Sequence, residues 1–136
     1  MAELQFEGSP VLVITARLLL VDDDTSALQV MNSMLAEYPD KRFATSGELA
    51  MRLAREEAPD LILLDVVMPG MTGFEMFDAL KRDPRLANIP VVFVTAHDTE
   101  ALREAGAPMG AAVFIPKPMV AAQLKEAVRD SLFARA

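Results

Sequence analysis

Cysteine is absent from this 136-residue chain, so a disulfide framework, a thiolate nucleophile and a cysteine-ligated zinc site are all excluded. That usage fits an expected cytoplasmic location. A basic excess is also missing. Twenty Asp and Glu against thirteen Lys and Arg leave a net charge of −7, which argues against direct nucleic-acid contact by this chain. No apolar run approaches the roughly 20 residues needed to span a bilayer. Val11 to Val21 comes nearest, and Thr15 and Arg17 interrupt it. Residues 1–10 lack the basic start of a signal peptide. No membrane partner is expected, and neither an internal repeat nor a low-complexity segment is found.

What remains is an ordinary globular composition, 52% hydrophobic and 24% charged. The length suits one domain that buries roughly two-thirds of its unfolded surface. The stretch LILLDVVMPGMTGFE, Leu61 to Glu75, organises it. Leu61 to Leu64 is unbroken apolar sequence and reads as a strand covered on both faces, as in a parallel sheet. It ends on Asp65, a carboxylate at the C-terminal tip of an interior strand, where ligands gather in open α/β sheets. Pro69-Gly70 then breaks the chain, and Thr72 is placed to cap a helix starting near Gly73.

The remaining elements follow in alternation. Leu18 to Val21 is a strand ending on Asp22-Asp23-Asp24. Thr25 and Ser26 open a helix with Leu28, Met31, Met34 and Leu35 at helical spacing, stopped at Tyr38-Pro39-Asp40. Arg42 to Ala44 is a short edge strand. Ser46 caps a second helix through about Glu57, with Leu49, Leu53 and Ala54 facing inward. The third helix, to about Lys81, carries the stripe Phe74, Phe77 and Leu80. Val91 to Val94 is the fourth strand, ending on Thr95. A fourth helix follows Asp98, and Gly106 and Pro108 predict that it is short, bent or frayed in its second half. Val113 to Ile115 is the fifth strand, and the last helix runs from Val120 toward Phe133 with Leu124, Val128 and Leu132 inward. Val11 to Ile14 is compatible with an extra strand or a dimer arm.

Five strands alternating with five helices require parallel pairing and right-handed crossovers. The economical arrangement is the flavodoxin-like doubly wound sheet, order 2-1-3-4-5, with helices on both faces and a switch point between strands one and three. The strand tips there are Asp22 and Asp23, Asp65, Thr95 and Lys117. Each alone has an ordinary explanation as a turn, a cap or a solvated charge; four together point to one site. At an effective dielectric of about 20, two carboxylates 4 Å apart repel by about 4 kcal/mol. Such a cluster requires a cation or takes up a proton. Oxygen donors in small number suit Mg²⁺, which keeps several waters and favours phosphate oxygens. Asp65 can then act as a carboxylate nucleophile on phosphorus, with Lys117 and Thr95 contacting the phosphoryl oxygens. His97 reads as an exposed residue at a helix start.

LLLVDDD, LILLDVVMPGMTGFE, VTA and IPKP, in this order and spacing, resemble the receiver domain of two-component response regulators. The likeness covers residues 17–136 and leaves 1–16 as an N-terminal extension. The resemblance implies Asp65 as phosphoacceptor, and Asp22, Asp23, Asp65 and the backbone carbonyl of Val67 as ligands of Mg²⁺. It implies Thr95 and Lys117 as the phosphoryl-contacting pair, a cis Lys117-Pro118 bond, and Phe114 as the switch aromatic. The implied donor is a histidine kinase or histidine phosphotransfer protein. The signalling face would be helix 4, strand 5 and helix 5, open to a downstream protein, an output domain or a homodimer partner. Activity would be limited to self-catalysed phosphoryl transfer and autodephosphorylation. Val67 and His97 occupy rim positions that vary in the family and affect dephosphorylation. An aspartyl-nucleophile phosphatase using Mg²⁺ is the rival enzyme, and a phosphorylation-independent interaction domain is the rival binding module. Both a stand-alone receiver and a piece of a longer regulator or hybrid kinase fit the chain's end.

Overall fold

Apolar strands with one central pair of carboxylate tips can be layered in few ways, and the computed structural model shows which one this chain adopts. It describes residues 15–97, 99–111 and 113–135. The strands are β1 (Leu18–Val21), β2 (Lys41–Ala44), β3 (Leu61–Leu64), β4 (Val91–Thr95) and β5 (Val113–Pro116). The helices are α1 (Thr25–Met34), α2 (Gly47–Glu56), α3 (Gly73–Arg82), α4 (Thr99–Gly106) and α5 (Ala121–Arg135). All pairings are parallel, in the order β2-β1-β3-β4-β5. The expected sheet is therefore observed. Val11 to Ile14 and Asp98 lie outside the described residues, while Ala16 is buried and joins the core.

Period-two alternation sends successive strand residues to opposite layers. Leu19, Val21, Ile62, Leu64, Phe93 and Phe114 pack with α2 and α3 on one face. Leu18, Leu20, Leu61, Leu63, Val92, Val94 and Ile115 pack with Leu28 and Met31 of α1 and with Leu124, Val128 and Leu132 of α5 on the other. Both β1 and β3 are buried throughout, so an unbroken apolar run is the sequence such strands need.

Two helices differ in detail from the spacing. In α2 the buried line is Ala50, Met51 and Ala54, and Leu49 and Leu53 are half-buried at its flank. Two alanines one turn apart let the helix axis come close to the sheet, so the leucines spread sideways. In α3 Met76 joins Phe77 and Leu80 in the core, and Phe74 is half-buried. Helix α4 is short, as its glycine and proline predict: it stops at Gly106 and continues as a 3-10 turn over Ala107–Met109, ended by Gly110 at φ 91°. Among the described residues no helix is long and apolar enough to cross a membrane.

Candidate functional site at the strand tips

The parallel ladder runs one rung past β1, β3 and β5, and those rungs position the site. The Asp22 N–H donates to the Ala44 carbonyl at 3.1 Å, that of Asp65 to Val21 at 3.0 Å, and that of Lys117 to Thr95 at 2.9 Å. Each functional residue is thereby fixed at its backbone before its side chain leaves the sheet.

The aspartate triplet divides its labour. Asp24 is the N-cap of α1, its carboxylate accepting from the Ser26 N–H at 2.9 Å. Asp23 is exposed. Asp22 is fully buried; Oδ1 accepts from the Asp24 N–H at 2.9 Å and Oδ2 from Lys117 Nζ at 2.5 Å. Asp65 is 6% exposed, with Oδ1 accepting from the Val67 N–H at 3.4 Å and Oδ2 lying 3.5 Å from Lys117 Nζ. Oxygens of Asp22, Asp23 and Asp65 all lie within 4.8 Å of one another. The residues predicted from β1, β3 and β5 are thus brought together. Thr95 is buried at the neighbouring tip, where its Oγ1 accepts from the His97 N–H at 3.3 Å. His97 and Val67 stand exposed at the rim. The Lys117-Pro118 bond is cis, as the resemblance implies.

The electrostatics are unbalanced toward anion. Burial, then the charge of Asp22, push the Asp65 carboxyl above its ordinary range, with Lys117 and the Val67 N–H pulling back. For Lys117 burial acts downward, but the hydrogen bond to Asp22 and the charges of Asp65 and Asp22 outweigh it and hold the ammonium above its usual pKa. Asp22 and Asp65 share the Lys117 ammonium while Asp23 stands beside them, leaving about two negative charges when all three carboxylates are ionised. All-oxygen donors at this spacing, with one carboxylate open to solvent, fit a hard divalent cation.

Of two further pieces, one carries a local sequence signal and the other does not. Thr72 and Glu75 form a reciprocal capping box at the start of α3, a signal present in the T-x-x-E pattern. Arg103 in α4 donates to the Phe114 carbonyl, a contact with no local sequence signal because it depends on how α4 meets β5. The Phe114 ring is buried and stacked on Phe93, with centroids 5.0 Å apart.

A family model described as Response regulator receiver domain matches residues 18–129. Response regulator PleD of Caulobacter vibrioides is 41% identical over 118 residues, covering 86% of this chain and 26% of that protein. Protein PilH of Pseudomonas aeruginosa is 36% identical over 105 residues, covering 76% of this chain and 87% of that protein. The chain also spans only 26% of a Vibrio cholerae relative named probable cyclic di-GMP phosphodiesterase. Among solved structures, chemotaxis response regulator CheY4 of Vibrio cholerae has a TM-score of 0.79 at 27% identity, covering 86% of this chain and 98% of that one. The receiver domain of Francisella response regulator 1452 has a TM-score of 0.77 at 25% identity, covering 89% and 98%.

Proposed function

The chain belongs to the response regulator receiver domain family of two-component signalling, and from that premise we propose that Asp65 takes a phosphoryl group from a histidine kinase or histidine phosphotransfer protein. An Asp65 oxygen attacks phosphorus, the phosphorus–nitrogen bond of the donor phosphohistidine breaks, and the released imidazole nitrogen takes its proton from solvent. The product is an acyl phosphate. The convergence of Asp22, Asp23 and Asp65 within 4.8 Å beside one shared ammonium carries this reading.

Each residue has a task set by its place. Asp65 is the nucleophile, aimed by its backbone rung and by the Val67 N–H. Lys117 already faces Asp65, so its ammonium is positioned to meet the phosphoryl oxygens. Thr95 offers a hydroxyl from the next strand. Asp22, Asp23, Asp65 and the Val67 carbonyl would hold Mg²⁺, which supplies charge neutralisation for the phosphoryl oxygens. The exposed Val67 and His97 set how readily water reaches the phosphoryl group. The α4, β5 and α5 face transmits the change to a downstream protein, an output domain or a second copy, in the cytoplasm. No separate substrate is turned over: the residue two past Asp65, where an aspartyl phosphatase places its leaving-group acid, is Val67.

Acetyl phosphate with Mg²⁺ tests the assignment by mass spectrometry. One added phosphate is expected, confined to Asp65 and lost in Asp65→Asn, while Asp23→Ala weakens Mg²⁺ binding at least tenfold. No added phosphate, or equal labelling of Asp65→Asn, refutes it.

A further inference from the structure

Helix α4 is lightly anchored. Gly106 is buried and Leu102 half-buried, while Glu100, Ala101, Arg103, Glu104 and Ala105 are exposed. Elements with little buried apolar area sit at the low end of local stability. Arg103 ties this helix to the sheet. One guanidinium nitrogen donates to the Phe114 carbonyl at 2.9 Å, and the guanidinium carbon lies 5.4 Å from the centroid of the Phe114 ring.

The sheet explains why that carbonyl is available. Among the described residues strand β5 is an edge strand, and its neighbour Lys117 bonds back to Thr95 of β4. Backbone groups of a strand point alternately to either side, so the odd-numbered residues face β4 and Phe114 turns its carbonyl to the open edge. Arg103 satisfies that carbonyl with the same group that covers the ring. Beneath, the Phe114 ring stacks on Phe93 at 17° and meets Phe74 edge-on at 6.3 Å. Phe74 in turn abuts Gly106, where a Cβ would fall 3.1 Å from the ring and 2.9 Å from the Ala111 Cβ. The helix therefore meets the aromatic cluster at its middle and at its end.

We infer that Arg103 is a positioning residue, a latch that holds Phe114 inward and α4 on β5 before any phosphoryl group arrives. Its consequence for signalling rests on the receiver reading above; the latch itself does not. A ligand shifts an equilibrium only by its differential affinity for the two states. With the inward state already favoured by the latch, phosphorylation moves Phe114 little. Without the latch the inward population ratio falls roughly tenfold, by loss of a charge-assisted hydrogen bond and a cation–π contact.

The test places 4-fluorophenylalanine at position 114 in the full chain and records fluorine spectra of the parent, Arg103→Ala and Arg103→Lys. The parent is expected to show one buried-ring resonance. Arg103→Ala shifts toward the solvent-exposed value or gains a second signal, and acetyl phosphate with Mg²⁺ returns it toward the parent. Arg103→Lys falls between, because it keeps the charge and loses the planar fork. Amide exchange in α4 rises roughly tenfold in Arg103→Ala while α5 is unchanged, a pattern that general destabilisation does not produce. Identical fluorine spectra in all three proteins, or equal exchange changes in α4 and α5, overturn the latch. If the parent takes no phosphate, the receiver reading fails, and the unphosphorylated spectra still decide the latch.

Discussion

Replacing Asp65 by Asn is expected to make the protein more stable at neutral pH when no divalent cation is supplied. Asp65 stands within 4.8 Å of the Asp22 and Asp23 carboxylates and 3.5 Å from the Lys117 ammonium. At an effective dielectric of about 20, each carboxylate costs about 3.5 kcal/mol and the ammonium returns about 5 kcal/mol. Asp23 is exposed and solvent screens most of its share, so the Coulomb terms nearly cancel. Burial then decides the sign, and it is also the leading cause of the raised Asp65 pKa. The effective penalty for burying one ion is several kcal/mol, and recovering part of it predicts a gain of about 2 kcal/mol. For a chain of 136 residues that corresponds to a rise in Tm of about 8 °C.

The pH dependence follows with its sign. A carboxyl whose folded pKa lies above its unfolded value keeps a proton in the folded state that the unfolded chain has released. Stability therefore falls as pH rises from the ordinary carboxylate pKa of 3.8 through the raised value. Asn has no such loss, so the gap between variant and parent is small near pH 4 and fully open at neutral pH. Added Mg²⁺ stabilises the parent more than the variant and narrows the gap. Urea denaturation across this range measures it. A variant no more stable than the parent at neutral pH, or a gap that does not change with pH, refutes the reasoning.

The same electrostatics make Lys117→Met the opposite case: buried Asp22 loses its hydrogen-bonded ammonium, and stability without divalent cation falls by about 3 kcal/mol, with added Mg²⁺ recovering more in the variant than in the parent. A urea midpoint unchanged from the parent would show that Lys117 is not the counter-charge. Gly73→Ala should destabilise by about 2–3 kcal/mol, because its Cβ would sit 2.2 Å from the Asp65 carbonyl oxygen and 2.8 Å from the Val66 Cα. Those atoms are backbone and cannot rotate away, so the rate of labelling by acetyl phosphate should fall as well; a fully stable, normally labelled variant would contradict the geometry.

Much of this molecule was legible in local pattern. Apolar runs of four residues with no polar break, as in Leu61 to Leu64, announce strands covered on both faces. Ser46 and Thr72 announce the starts of α2 and α3, and Gly106 with Pro108 announces the end of α4. These features depend on a few neighbouring residues, whose hydrogen bonds and backbone preferences close within a turn or two. The inward line of α2 was less legible, because two alanines bury more deeply than the flanking leucines when a helix lies close to a sheet.

The chain by itself thus determined the elements, their parallel alternation and which polar residues end each strand. Tertiary structure decided how those ends share their charges. Asp24 turned away to cap α1 while Asp22 was buried against Lys117, 95 positions later, and one ammonium came to serve two carboxylates. It also set Arg103 on the open edge of β5. Charge balance and edge capping depend on separations of a few ångströms between residues far apart in sequence. Such distances exist only once the layers have packed.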